Sequence, residues 1–167
     1  MSFSMKLVQH GFTLLELIIT LSIVAIVASV AVPSFDKMIN SNKVVSIAEQ
    51  LYQNILYAQS EAIRRNSNIT LDLTGTGTST WSYEIQDCSS TPCEVLKSFD
   101  STNESGDITI AYTAGLDGAI FESDRGFINN QGDISFTYGT SSDATISINV
   151  LGRPSICSNT LGNYSNC

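Results

Sequence analysis

The run "HGFTLLELIITLSIVAIVASVAVPSF" at residues 10–35 constrains this chain more than any other stretch. From Leu17 to Val32 it is apolar apart from Thr20, Ser22 and Ser29, and between Lys6 and Asp36 the only formal charge is Glu16. Written as a helix, Phe12 to Val32 spans about 30 Å, the thickness of the hydrocarbon core of a bilayer. A carboxylate at the centre of such a segment costs roughly 3 kcal/mol or more, so it needs a partner and a role. The remainder of the 167 residues is rich in Ser, Thr, Asn, Gly and Asp. One hydrophobic N-terminal element therefore precedes one polar domain, and the length suits a single core.

Two ordinary readings leave Glu16 unexplained. A signal peptide has a basic start and a small-x-small cleavage site, which Lys6 and "ASVA" at 28–31 imitate, but an acid inside the apolar region does not belong there. A plain membrane anchor accounts for length alone. The sequence "GFTLLE" resembles the prepilin signature of type IV pilins and type II secretion pseudopilins. That resemblance implies cleavage after Gly11 by a prepilin peptidase, N-methylation of Phe12 as the new terminus, and Glu16 as the fifth mature residue. Lys6 then lies in the leader on the cytoplasmic side, as the positive-inside bias requires. Among bundled apolar helices an unpaired carboxylate is costly, and the terminal amine of a neighbouring subunit offsets that cost and sets axial register. Glu16 is by this resemblance an assembly residue with no catalytic part. Pro33 stands where the family commonly has a proline that bends or loosens the first helix. The same resemblance implies an inner-membrane, single-pass precursor with a periplasmic domain, later a subunit of a pilus or pseudopilus. Its partners would be the peptidase, the inner membrane, and other minor and major pilins or pseudopilins.

Beyond Pro33 the helical pattern continues. Met38, Val45, Ala48, Leu51, Tyr52, Ile55, Ala58 and Ala62 fall at helical spacing, with Lys37, Lys43, Gln50, Gln53, Glu61 and Arg64 over much of the other face. Arg64 and Arg65 suit a helix C-terminus, where cations are favoured. The expectation is one helix from Phe12 to about Arg65. After Asn66 the period becomes two: Ile69-Leu71-Leu73, Trp81-Tyr83-Ile85, Ile108-Ile110-Tyr112, Ile134-Phe136-Tyr138 and Ile146-Ile148-Val150. Turn-rich joints such as "TGTGTST" and "GTSSD" separate these runs. Short strands with no helix between them imply an antiparallel sheet packed on the helix, an α+β domain in the manner of the type IV pilin fold. The expected divisions are a leader at 1–11, a hydrophobic assembly helix at 12–35, the amphipathic half at 36–66, and a β-rich domain at 67–167.

The four cysteines, Cys88, Cys93, Cys157 and Cys167, all lie in the polar part. An even count in an exported chain suggests disulfides, and local spacing favours Cys88–Cys93 and Cys157–Cys167 among the three pairings. Zinc fits poorly, because neither spacing matches a common motif and the only histidine is His10. No cofactor or metal is expected. The acidic residues Asp117, Glu122 and Asp124 do not follow calcium-loop spacing. No Gly-x-Ser-x-Gly elbow or Gly-rich phosphate loop points to an enzyme.

A narrower resemblance covers most of the chain. "LYQNILYAQSEAIRRNSNITLDL" is similar to the helix-to-strand segment of the GspH/FimT group of minor pilins and pseudopilins, with Gln59 where the group tends to have arginine. "AIFESDRGFINNQGDISF" and "ISINVLGRPSIC" resemble its later turn and its C-terminal strand. Members of this group that bind DNA are associated with a C-terminal Gly-Arg-x-Arg motif. Gly152 and Arg153 match it, and Ser155 stands at the second arginine. With 8 basic against 16 acidic residues, a net charge of −8, the chain offers no broad basic surface. Any DNA contact would be weak and local, centred on Arg153, with Lys97 and Arg125 joining only if the fold brings them near.

Overall fold

The computed structural model describes residues 12–104, 106–139 and 142–167; Gly11 and the leader expected at 1–11 lie outside them. The order is α1 (Leu14–Arg65), β1 (Ile69–Thr74), β2 (Ser82–Asp87), β3 (Glu94–Asp100), α2 (Ser101–Glu104), β4 (Ile108–Tyr112), β5 (Ala119–Phe121), β6 (Gly132–Tyr138), β7 (Ser142–Ile148) and β8 (Pro154–Cys157). Both ends of α1 are written locally. The Thr13 hydroxyl accepts the Glu16 amide at 3.2 Å, and the Thr13 carbonyl takes the first helical bond from Leu17 at 3.1 Å. Thr-x-x-Glu at a helix start is the capping-box pattern. At the far end Asn66 takes a left-handed φ of 52°. The Ser67 amide then reaches the Ala62 carbonyl and the Asn66 amide that of Ile63, a Schellman closure.

Two compact units divide the chain, the first ending at Lys37 and the second running Met38–Cys167. In the first, every large apolar side chain from Leu14 to Phe35 is at least half exposed. Three hydroxyls there fold back onto the helix: Thr20 onto the Leu17 carbonyl, Ser22 onto that of Ile18, and Ser29 onto that of Ile26. Such back-bonding satisfies them without water, as a lipid or protein surround requires. Pro33 lies inside the helix and lacks the amide that would bond the Ser29 carbonyl.

In the second unit α1 buries Val44, Ile47, Ala48, Leu51, Ile55, Ala58 and Ala62. The buried stripe is thus shifted from the sequence-based one. Met38 is 62% exposed and Val45 only half-buried, while Val44 and Ile47 go inside. The strands are antiparallel throughout and divide between two four-stranded sheets, β3-β2-β1-β5 and β4-β6-β7-β8, where the period-two runs by themselves suggested one. Ile69, Leu71, Leu73, Trp81, Tyr83, Ile85, Ile108, Ile110, Ile134, Phe136, Ile146 and Ile148 all point inward. Val150 does not: β7 ends at Ile148, and Val150 sits 55% exposed in the following turn. β3, β5 and β8 carried no clear alternation, since β3 buries Phe99 alone and β5 is only three residues long.

Trp81 joins the sheets. Its ring stacks on Phe99 of β3 at 5.0 Å and tilts against Phe136 of β6 at 5.5 Å, and its indole N–H donates to the Ile108 carbonyl of β4. Helix face and both sheet interiors form one apolar cluster.

Glu61, assigned by periodicity to the polar face, is buried. It accepts Nε of Arg64 and Nε of Arg65, each at 2.8 Å. Arg65 continues to Glu94 of β3 at 2.7 Å and to Asp87 of β2 at 3.6 Å. The helix end is thereby tied to the β2–β3 hairpin by charge. Hydrogen bonds from Arg64 and then Arg65 hold the Glu61 carboxyl down at about 2, against an ordinary value of 4.5. A depressed carboxyl stabilises the fold above its unfolded value, and that contribution disappears as pH falls through the folded one. The melting temperature of the processed chain in nonionic detergent should therefore carry a Glu61 contribution that is full above about pH 5 and declines between pH 4.5 and 2. Glu61→Gln should melt lower than wild type at pH 7 and converge with it near pH 2; parallel curves at all pH values would exclude this role.

Candidate functional site

Two places carry the residues singled out by sequence. The first is the start of α1. Phe12 is 84% exposed and Glu16 lies in the first helical turn on an exposed surface. The acid follows the capping hydroxyl of Thr13 and is surrounded by exposed Leu14, Leu15, Leu17, Ile18 and Ile19. An acid near a helix N-terminus is favoured by the helix dipole, so this position suits a carboxylate even before a partner arrives. Further along stands Pro33.

The second is the turn between β7 and β8. Gly152 is buried with φ 72°, and a Cβ there would lie 2.4 Å from the Gly126 carbonyl oxygen. Only glycine allows this backbone to approach the 122–127 turn so closely. Asn149 shapes the loop: its side-chain oxygen accepts the backbone amides of Leu151 and Arg153 at 3.0 and 3.1 Å, and its backbone N–H donates to the Arg153 carbonyl. Arg153 is exposed at the head of β8, and among the described residues no carboxylate lies within 4 Å of it. Ser155, at the place of the group's second arginine, is exposed and turns its hydroxyl to the Ser147 carbonyl.

The residue that sequence reasoning passed over is Gln59. From α1 its half-buried side-chain nitrogen donates to the Leu151 carbonyl at 2.8 Å and to the Gly126 carbonyl at 3.1 Å. Its departure from the group's arginine was the visible signal. The 122–127 turn it holds includes Arg125, whose guanidinium is 3.9 Å from Asp124 and 5.8 Å from the Phe127 ring centre. Lys97 is placed elsewhere. Its ammonium sits 5.5 Å from the Tyr57 ring, and Tyr57 and Gln59, two residues apart on α1, face different sides. Arg125 is thus brought to the Arg153 turn and Lys97 is not.

Cys88 is bonded to Cys93, and Cys157 to Cys167, with Cα separations of 4.3 and 4.9 Å. The second bridge closes the C-terminal loop, which also bonds Ser158 N–H to the Ser165 carbonyl and the Tyr164 hydroxyl to Glu49 of α1. Burial, and then the bond to Glu49, push the Tyr164 hydroxyl up to about 12. Asp117 caps its own turn by accepting the Gly115 amide, and among the described residues no three metal-ligating side chains converge.

The fold is shared with a known pilin. Crystal structures of the type IV minor pilin FimU from Pseudomonas aeruginosa (strain PAO1) in two crystal forms superpose with TM-scores of 0.55 and 0.50, at 19% and 18% identity. The match covers 69% and 66% of this chain and 88% and 90% of theirs. A comparison with curated proteins finds no match. A capped apolar helix, continued into the core of a two-sheet antiparallel domain, defines the class as type IV pilin-like. The chain belongs to the family described as Type II transport protein GspH, whose model matches residues 48–152, and it carries the Prokaryotic N-terminal methylation motif at residues 6–32. The family is one of structural pilins, and the motif implies processing by a prepilin peptidase and assembly with other pilins.

Gly152→Ala should force a Cβ against the Gly126 carbonyl in a left-handed backbone, at a cost of about 2 kcal/mol or more. Thermal melting of the variant should fall by roughly 5 °C or more. An unchanged melting temperature would mean that the turn relaxes freely.

Proposed function

We propose that the chain is a minor pilin of a type IV pilus, a structural subunit that primes assembly or sits at the filament tip. The observation that carries this reading is the exposed apolar first unit of α1 with Glu16 at its start, joined to a domain with the FimU fold. Such a helix is stable only when covered, first by the inner membrane and then by the helices of neighbouring subunits. In the membrane Phe12 to Phe35 forms the single span, with the β-rich domain on the periplasmic side. Cleavage after Gly11 frees the Phe12 amine, which is then methylated. The Glu16 carboxylate of one subunit receives the terminal amine of another, so that two charges costly alone in an apolar bundle satisfy each other and fix the axial step. Pro33 gives the helix a place to bend as subunits pack. A tip pseudopilin of a type II secretion system is the alternative, favoured by the GspH family match over residues 48–152.

A second reading, DNA contact during uptake, is favoured by one observation. Arg153 projects from a structured turn with no carboxylate within 4 Å among the described residues. An exposed arginine so placed can meet a phosphate as a positioning contact, without reading base sequence.

Co-expression with a prepilin peptidase should yield a product whose intact mass begins at methylated Phe12, and substitution of Gly11 should leave the precursor uncut. Cleavage near Ala31 instead would indicate an ordinary signal peptide. Glu16→Ala should still be cleaved and folded, yet enter filaments roughly tenfold less, the effect of about 1.4 kcal/mol. Quantitative immunoblots of sheared filaments would read this, and normal incorporation would remove the charge-pairing role.

A further inference from the structure

The Gln59 carboxamide lies where two turns meet, and each turn bears an arginine. Its nitrogen donates to Leu151 O, in the turn that ends at Arg153, and to Gly126 O, next to Arg125. Two glycines make room. A Cβ on Gly152 would meet the Gly126 oxygen at 2.4 Å, and one on Gly126 would meet Gln59 Cγ at 2.8 Å. The 122–127 turn is closed by the Gly126 amide bonding the Glu122 carbonyl and the Glu122 amide bonding the Phe127 carbonyl; the 149–153 turn is closed by Asn149. Each turn is internally bonded, and the carboxamide is hydrogen-bonded to both.

We propose that Gln59 is a positioning residue that fuses the Arg125 and Arg153 turns into one two-cation site for the phosphodiester backbone of DNA. This rests on the DNA reading of Arg153 and adds its second cation. Arg125 is suited to the part. Its side chain is 70% exposed, and its guanidinium stands by the Phe127 ring, where cation–π attraction restrains it. Its pairing with Asp124 is long at 3.9 Å and exposed, so solvent screens it and a phosphate can displace it. Glu122 and Asp124 share the turn and oppose any polyanion, which keeps binding weak. A nucleic-acid strand offers successive backbone phosphates, one to each arginine.

Two phosphate contacts give a distinct salt signature. The slope of log K against log salt should be about −1.8 for the two-cation site and about −0.9 for one cation. The processed full-length chain in nonionic detergent is titrated with a 30-base-pair duplex between roughly 20 and 100 mM salt, with polyglutamate as a phosphate-free polyanion. Arg125→Ala and Arg153→Ala should each bind duplex roughly five- to tenfold more weakly, with the slope halved. Gln59→Met keeps the length of the side chain but loses its donors, and should also halve the slope although both arginines remain. Combining it with Arg125→Ala should weaken binding no further. Gln59→Glu, which faces both carbonyls with a carboxylate, should act in the same direction, and circular dichroism melts confirm that each variant is folded at the assay temperature. A purely structural Gln59 would lower the melting temperature and leave the slope near −1.8, which overturns the positioning role. Loss of binding in Arg153→Ala with none in Arg125→Ala overturns the two-turn site and leaves Arg153 as a lone contact. Equal affinity for polyglutamate overturns the phosphodiester specificity. An absence of duplex binding by wild type at the lowest salt overturns the site and the DNA reading together.

Discussion

One continuous helix must satisfy two solvents, and that requirement organises the rest of the molecule. From Leu17 to Val32 its side chains are apolar apart from Thr20, Ser22 and Ser29, whose hydroxyls bond to their own helix backbone. From Val44 onward one apolar stripe is buried, and the cluster of both sheets closes over it. Small residues at Ala48, Ala58 and Ala62 within that stripe let backbone elements approach the helix. Capping at Thr13 and Asn66 defines the helix ends, so the transition between solvents is made by side chains alone.

Polar groups then specify how the domain is assembled on this helix. The Glu61–Arg65 network fastens the helix end to β2 and β3, close to the bridge between Cys88 and Cys93. Asn54 reaches the Tyr83 hydroxyl, Gln59 reaches two turns, and Glu49 receives Tyr164 from the C-terminal loop. Apolar burial supplies the driving force without direction; these bonds give each turn and loop a single address on the helix. Exposed sheet edges are managed in the same way. The turn at Gly77 and Thr78 bonds Ile110 of β4, and Ser165 bridges to Cys157 at the end of β8.

Family membership and fold leave functional choice to a few surface groups. In the proposed reading a pilin-like subunit joins a filament through its apolar helix and Glu16, whatever the domain presents outward. What this domain presents at the β7–β8 turn is one arginine in place of the resembling group's two, on a chain with twice as many acids as bases. That balance argues for a subunit whose principal partners are other pilins, with any polyanion held locally.

The helix, the strands with strict alternation and the closely spaced cysteines were all legible in the residues, because each depends on short-range periodicity or chain closure. "GFTLLE" was legible for a different reason, its resemblance to the prepilin signature; physics alone says only that a lone carboxylate in an apolar run needs a partner. The shift of the buried stripe to Val44 and Ile47, the burial of Glu61 and the division of the strands into two sheets depended on which surfaces meet. A period of 3.6 permits neighbouring stripes, and the choice falls to packing. β3 and β5 were silent since an edge strand needs little apolar alternation. The pairing of the Arg153 turn with the Arg125 turn was equally invisible in one dimension. It depends on Gln59 reaching across 67 and 92 residues of chain, and on two glycines whose value lies only in what stands beside them.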